Sequence, residues 1–332
     1  MELASSFPFP WQLAAWRQLD EARRRGRLAH ALLLSGQEDI GKSLFAEELA
    51  RALLCAEPGD DGRACGHCRA CRLLAAGSHP DLHRLSPEEG SRQIRIEAVR
   101  KLRDESTLVV GEAKRRIFLL DPADALGGPA ANALLKTLEE PLAGIHLLLV
   151  SSRPESLPIT IRSRCQQVRF PQPPAREAAA WLARQGEMEP DAARQLLGIA
   201  NGAPMQALAM ANTGADREYR QMAREFIELA QGKQDPVEIA EQWSQKVELR
   251  LSLNYLASWL QLLLRQQMSN LGIDNPALEI LQTHQARLDL RTVFRLLDNL
   301  FEIQRDLNHN LNPQLVLEEL LLEWYGIARG AY

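Results

Sequence analysis

The run Gly36-Gln37-Glu38-Asp39-Ile40-Gly41-Lys42-Ser43 is a complete phosphate-binding loop of the form G-x-x-x-x-G-K-[ST]. It follows a short apolar stretch, His30 to Ser35, and opens a segment with helical periodicity, Lys42 to Leu54. Strand, glycine loop and helix in that order are the context in which the motif carries meaning. Gly36 and Gly41 let the backbone curl so that its N–H groups point at phosphate oxygens, and the helix start adds the positive end of its dipole. Lys42 can reach the outer phosphates, and Ser43 can hold Mg²⁺.

A second apolar strand, Ile117-Phe118-Leu119-Leu120, ends in Asp121, which is placed to orient the Mg²⁺ shell. A phosphate-loop ATPase usually follows that acid with a glutamate that polarises the attacking water. Here the next residue is Pro122, which has neither a carboxylate nor a backbone N–H. Asp124 lies two residues further on and would start from the wrong backbone position. The pair of motifs therefore predicts a chain without efficient hydrolysis of its own, whose loop either holds ATP or ADP with Mg²⁺ or is a relic that keeps the shape without binding.

Further strands are expected at 81–85, 116–120, 146–151 and 167–170, with helices at 96–106 and 129–139 between them. An N-terminal amphipathic helix, 11–25, is closed by Gly26. The alternation predicts a mainly parallel sheet with helices on both faces. Pro171, Pro173 and Pro174 end that pattern. Three short helices follow at 175–185, 190–200 and 204–211, then longer helical material including 247–268 and 276–307. Leu256, Leu260, Leu263 and Leu264 fall on one helical face. The expected division is an α/β phosphate-loop domain over 1–171, a small helical domain over 172–213 and an all-helical domain over 214–332.

Cys55, Cys65, Cys68 and Cys71 are spaced x9, x2 and x2, which lets four thiolates converge on a tetrahedral Zn²⁺ within an insert over 55–71. Four thiolates would fill the shell and leave no open position, so the role is structural. Buried thiols without metal are the bland alternative. His67 is a substitute ligand whose place in the turn favours exposure; His79 and His83 are weaker candidates. Cys165, alone, reads as a buried apolar residue.

The chain of 332 residues has a net charge of −4, so nucleic acid would be met locally or through partners. Two short basic runs, Arg23-Arg24-Arg25 and Lys114-Arg115-Arg116, could touch phosphates, although such runs are usually solvated faces. No apolar run reaches the ~18 residues of a spanning helix. Met1 to Pro10 lacks the basic and apolar pattern of a secretory signal, and the plain expectation is a cytoplasmic protein.

These residues resemble the clamp-loader AAA+ family of bacterial DNA polymerase III. The resemblance is carried by the phosphate loop with its cysteine insert, by Asn132-Ala133-Leu134-Leu135-Lys136-Thr137-Leu138-Glu139-Glu140-Pro141 and by Ser163-Arg164-Cys165. It covers residues 30–170 by motif and the remainder by architecture. It implies an AAA+ domain, a helical lid domain and a collar domain in a five-subunit assembly. That assembly places a sliding clamp on primer–template DNA in the nucleoid-associated replisome. Its expected partners are the motor subunits (γ/τ) and a clamp-opening δ subunit. Arg164 matches the family's arginine finger, which acts in trans on a neighbour's ATP. Cys55, Cys65, Cys68 and Cys71 match its zinc ligands. Motor subunits carry Asp-Glu where this chain has Asp121-Pro122, and an arginine in the lid where it has Met205. The resemblance therefore implies a non-hydrolysing stator subunit. An ATP-hydrolysing motor subunit of the γ/τ kind and a stand-alone zinc nucleic-acid module are the competing readings.

Overall fold

The computed structural model describes residues 7–88, 90–91, 93–106, 115–269, 288–306 and 311–330. The chain divides into two compact units, one of residues 1–181 with 202–206, the other of residues 182–201 with 207–332.

The first unit is built on five parallel strands: β1 (Ala31–Gly36), β2 (Leu82–Leu85), β3 (Arg116–Leu120), β4 (Ile145–Ser151) and β5 (Gln166–Phe170). Their order in the sheet is β2-β3-β4-β1-β5. All five residues of β3 are buried, as are Ala31–Ser35 of β1, so these strands read as continuous apolar runs. Their side chains alternate between two cores. Leu33, Phe118, Leu120, Leu147 and Leu149 enter one with helices α4 (Ile96–Ser106), α5 (Gly128–Glu139) and α6 (Ile159–Arg162). Leu32, Leu34, Ile117, Leu119, Leu148 and Val150 enter the other with α1 (Leu13–Arg24) and α2 (Lys42–Leu54). The expected parallel sheet, clothed on both faces, is what forms. Each expected strand and helix of this unit is present within two residues of its expected ends. The sequence reading passed over α6 and the seven-residue helix α3 (Arg69–Ala75). Both are shorter than the window over which helical periodicity is visible.

The second unit is helical throughout its described residues. Its helices are α8 (Pro190–Ile199), α10 (Ala215–Ala230), α11 (Pro236–Lys246), α12 (Leu249–Ser269), α13 (Leu290–Asp306) and α14 (Pro313–Ala328). Two further helices, α7 (Ala175–Gln185) and α9 (Pro204–Thr213), run across the division between the units. Asp235 caps α11 through the Val237 amide and Asn312 caps α14 through the Gln314 amide, each with proline at the first helical position. Tyr219, Met222, Ala223, Phe226 and Ile227 follow the 3.6-residue period on α10 and are buried. The expected face of Leu256, Leu260, Leu263 and Leu264 is buried as well. Of the helix expected at 276–307, residues 276–287 and 307 lie outside the described residues.

An aromatic stack fixes this unit's centre. Phe226 and Trp324 lie nearly parallel with centroids 4.3 Å apart, and Trp324 Nε1 donates to the Phe226 carbonyl at 3.0 Å. Trp259 packs against Tyr219, Phe226 and Trp243. Trp324→Ala removes a fully buried ring and its indole hydrogen bond, so a loss of about 3–5 kcal/mol is expected in urea denaturation. Trp324→Phe, which keeps most of the volume, should cost less.

Candidate functional site

Parallel pairing brings the carboxyl ends of β1, β3 and β4 to one edge of the sheet, and the candidate nucleotide residues stand there. Gly36 ends β1 opposite Phe170 of β5; a Cβ on it would meet the Phe170 carbonyl oxygen at 2.3 Å. Gly41 has φ +89°, and a Cβ there would meet the Phe9 ring at 2.6 Å. Both glycines are required by close approach, and Gly41 also by conformation. Neighbouring groups anchor three successive loop carbonyls. The Met205 amide donates to Asp39 O (3.0 Å), Trp11 Nε1 to Ile40 O (2.9 Å) and the buried Gln12 amide to Gly41 O (3.0 Å).

Lys42 opens α2 with its side chain buried. Its ammonium donates to the Gln37 carbonyl and to Ser152 Oγ (3.1 Å). Burial lowers its pKa, against the opposing pull of Glu38, Asp121, Asp124 and Asp39. Asp121 follows β3 and is hydrogen-bonded to Ser43. Burial raises its pKa, and the Ser43 bond and Lys42 pull it back. Gly36, Gly41, Lys42, Ser43 and Asp121 are thus brought together with a cation, a hydroxyl and a carboxylate. That donor set suits a Mg²⁺-polyphosphate.

Asp124, discounted from the sequence for its backbone position, is engaged within the chain. Its carboxylate accepts from Ser151 Oγ and from the backbone amides of Ser152 (2.8 Å) and Arg153 (3.1 Å). With three donors in place it ties the turn after β3 to the end of β4 and is not poised to activate water. Sequence reasoning missed Ser152, Trp11 and Gln12. Their partners lie 110, 29 and 29 residues away, and no local pattern marks such pairs.

The sulfurs of Cys55, Cys65, Cys68 and Cys71 lie within 4.8 Å of one another. Cys55 and Cys68 are 3.9 Å apart, Cys65 and Cys71 3.8 Å. A tetrahedron with ~2.3 Å zinc–sulfur bonds has edges of about 3.8 Å. Amides of Cys65, Cys68 and Cys71 donate to the sulfurs of Cys55, Cys65 and Cys68 at 3.3, 3.4 and 3.4 Å. Burial would push the Cys68 thiol up, but amide bonds from Cys71 and Ala56 outweigh it and bring it to about 6. The donor set fits a thiophilic ion such as zinc. His67 is exposed and, with His79 and His83, stands outside this cluster. Two carbonyls of the insert are held by α1: Trp16 Nε1 donates to Asp61 O (2.9 Å) and Arg24 donates to Asp60 O.

Arg164 follows α6 on the surface, with a side-chain exposure of 37%. Its guanidinium pairs with Glu139 of α5 at 2.7 Å and donates to the Thr160 carbonyl at 3.0 Å. Cys165 is buried, and burial pushes its thiol up to about 12, which suits a packing residue. The basic runs are largely neutralised within the chain. Arg23 and Arg24 pair with Asp20, Arg25 with Glu21, and buried Arg116 with Asp81 at 3.0 Å. Lys114 lies outside the described residues.

Family models described as DNA polymerase III, delta subunit, and DNA polymerase III, delta subunit, C terminal, match residues 11–174 and 214–326. A DNA polymerase III subunit delta' from Pseudomonas aeruginosa is 38% identical over 323 residues, 95% of this chain and 97% of that protein. The chain belongs to the DNA polymerase III subunit delta' family. The likeness to a DNA polymerase III subunit tau from Salmonella typhimurium is confined to 142 residues at 37% identity, 43% of this chain and 22% of tau. A DNA polymerase III gamma subunit-related protein from Thermotoga maritima superposes with a TM-score of 0.51 at 15% identity, covering 96% of this chain and 100% of the other. That superposition is a likeness of fold. No helix among the described residues is long and apolar enough to cross a membrane.

Two outcomes are expected of the site residues. Protein purified without chelator should carry one thiophilic metal ion per chain by elemental analysis, and Cys65→Ser should lower that ratio sharply. Asp124→Ala leaves two backbone amides and a hydroxyl without their acceptor and should cost about 1–3 kcal/mol in urea denaturation. Asp124→Asn, which keeps an acceptor oxygen, should cost less.

Proposed function

We propose that the chain is the non-hydrolysing stator of the DNA polymerase III clamp loader, the ring-opening assembly that sets a sliding clamp on primed DNA. The observation that carries this reading is the nucleotide site: a complete phosphate loop joined to an Asp121-Pro122 pair, with Asp124 engaged by three donors. The site can hold a polyphosphate, and among the described residues Pro122 and the engaged Asp124 supply no carboxylate to activate water. Membership of the delta' family over nearly the whole chain supports this reading over a γ/τ-like motor.

In this role Gly36, Gly41, Lys42 and Ser43 cradle ATP or ADP, with Asp121 on the Mg²⁺ shell. Arg164 acts outside its own chain, on ATP held by a neighbouring motor subunit. A guanidinium delivered to a γ-phosphate in this way accelerates hydrolysis by about a thousand- to a hundred-thousand-fold. Its contact with Glu139 is solvent-exposed and therefore weak, so a phosphate can displace it. Zinc on Cys55, Cys65, Cys68 and Cys71 stabilises the insert that packs on α1. Residues 1–171 serve as the AAA+ domain, 172–213 as the lid and 214–332 as the collar that joins the five subunits. The gap between the two family-model matches, 175–213, supports that layout. The partners are the γ/τ motors, the δ subunit and, through the complex, the sliding clamp and primer–template DNA in the cytoplasm.

Steady-state ATPase assays test the reading. The purified chain alone should show no more turnover than its Lys42→Ala variant. In a complex reconstituted with motor and clamp-opening subunits, Arg164→Ala should leave assembly intact and lower DNA-stimulated ATPase at least tenfold. Brisk turnover by the lone chain, abolished by Lys42→Ala, would instead establish a motor subunit.

A further inference from the structure

A cavity of about 590 Å³ opens beside the edge strand β5, where Ser35 and Gly36 at the start of the phosphate loop also border it. Arg162 of α6 and Arg169 of β5 both border it, with Ser163, Gln167, Ile159 and Phe170 among its other walls. Among the described residues no carboxylate lines it. The Ser163 hydroxyl already donates to the Thr160 carbonyl, and the Gln167 amide to the carbonyls of Arg162 and Cys165. The two guanidiniums are different. Neither has an ion pair or hydrogen bond among the described residues, and the Nε of Arg162 is buried without a partner.

Buried donors in folded proteins are almost always satisfied, and an exception calls for a group the chain itself does not supply. Two unpaired like charges on one cavity, with no acid beside them, create a field that an anion relieves. Guanidinium forks match planar and tetrahedral oxyanions in pairs of N–H···O bonds. Two of them offer more donors than a single carboxylate accepts, and a phosphoryl group, with three terminal oxygens, makes better use of them.

We propose that this cavity is an anion subsite adjoining the phosphate loop, which binds a phosphoryl group through Arg162 and Arg169 without need of Lys42. Calorimetric titration of the full chain with inorganic pyrophosphate tests this. The Lys42→Ala variant removes the loop's cation and should retain a binding event. Adding Arg162→Gln and Arg169→Gln to that background should weaken the event at least tenfold. Arg169 is exposed, so Arg169→Gln alone leaves the fold intact and should weaken binding by several-fold even if the double variant unfolds. Absence of binding in Lys42→Ala, or unchanged affinity when Arg169 is replaced, would overturn the proposal. The first result would assign all oxyanion binding to the phosphate loop.

Discussion

The two-sided burial of the parallel sheet is the constraint on which the first unit rests. Every second residue of β1, β3 and β4 belongs to a different core, so a slip of one position would turn both cores inside out. The register is therefore fixed from both faces at once, and the strand ends are fixed with it. Ser35 must stand beside Ser151, and Leu120 beside Leu149. The phosphate loop, Asp121 and the Ser151-Ser152 pair meet at one edge as a result of packing in residues that never touch a ligand.

Polar groups at that edge are held by long-range bonds that the packing makes possible. Asp124 joins the exits of β3 and β4, and Ser152 of the β4 exit receives the Lys42 ammonium. The carbonyls of the loop are held from the N-terminal segment and from the start of α9. A loop that must present amides to a polyphosphate has its carbonyls fixed beforehand, which lowers the ordering cost of binding. Pro122 sits inside this framework and contributes no acid to it. In the proposed nucleotide site, Pro122 stands where a phosphate-loop ATPase carries its glutamate.

The strand–loop–helix order, the sheet's parallel character, the cysteine cluster and the helical second unit were all legible in the sequence. Each rests on local pattern: continuous apolar runs, fixed spacing or a 3.6-residue period. What was not legible depends on partners far apart in the chain. Asp124 looked like a spare acid until Ser151, Ser152 and Arg153 were seen to occupy it. Arg116 looked like part of a basic run but is buried against Asp81. Arg164 stands on the surface as expected, yet nothing local announced its bond to Glu139, 25 positions back in the chain. The unpaired state of Arg162 and Arg169 is equally invisible to composition, because it is a statement about neighbours.

Helix α2 has a demanding task for its size. Its first residue is Lys42, and the residue that caps its far end is Cys55, so one rod of 13 residues carries the phosphate-loop lysine at one end and a member of the cysteine cluster at the other. Each helical residue advances the chain by about 1.5 Å and turns it by about 100°. Lengthening or shortening this segment by a single residue would swing Cys55 away from its three companions while leaving the loop untouched. The length of 42–54 is therefore tied to the cysteine cluster, whereas its exposed side chains are not.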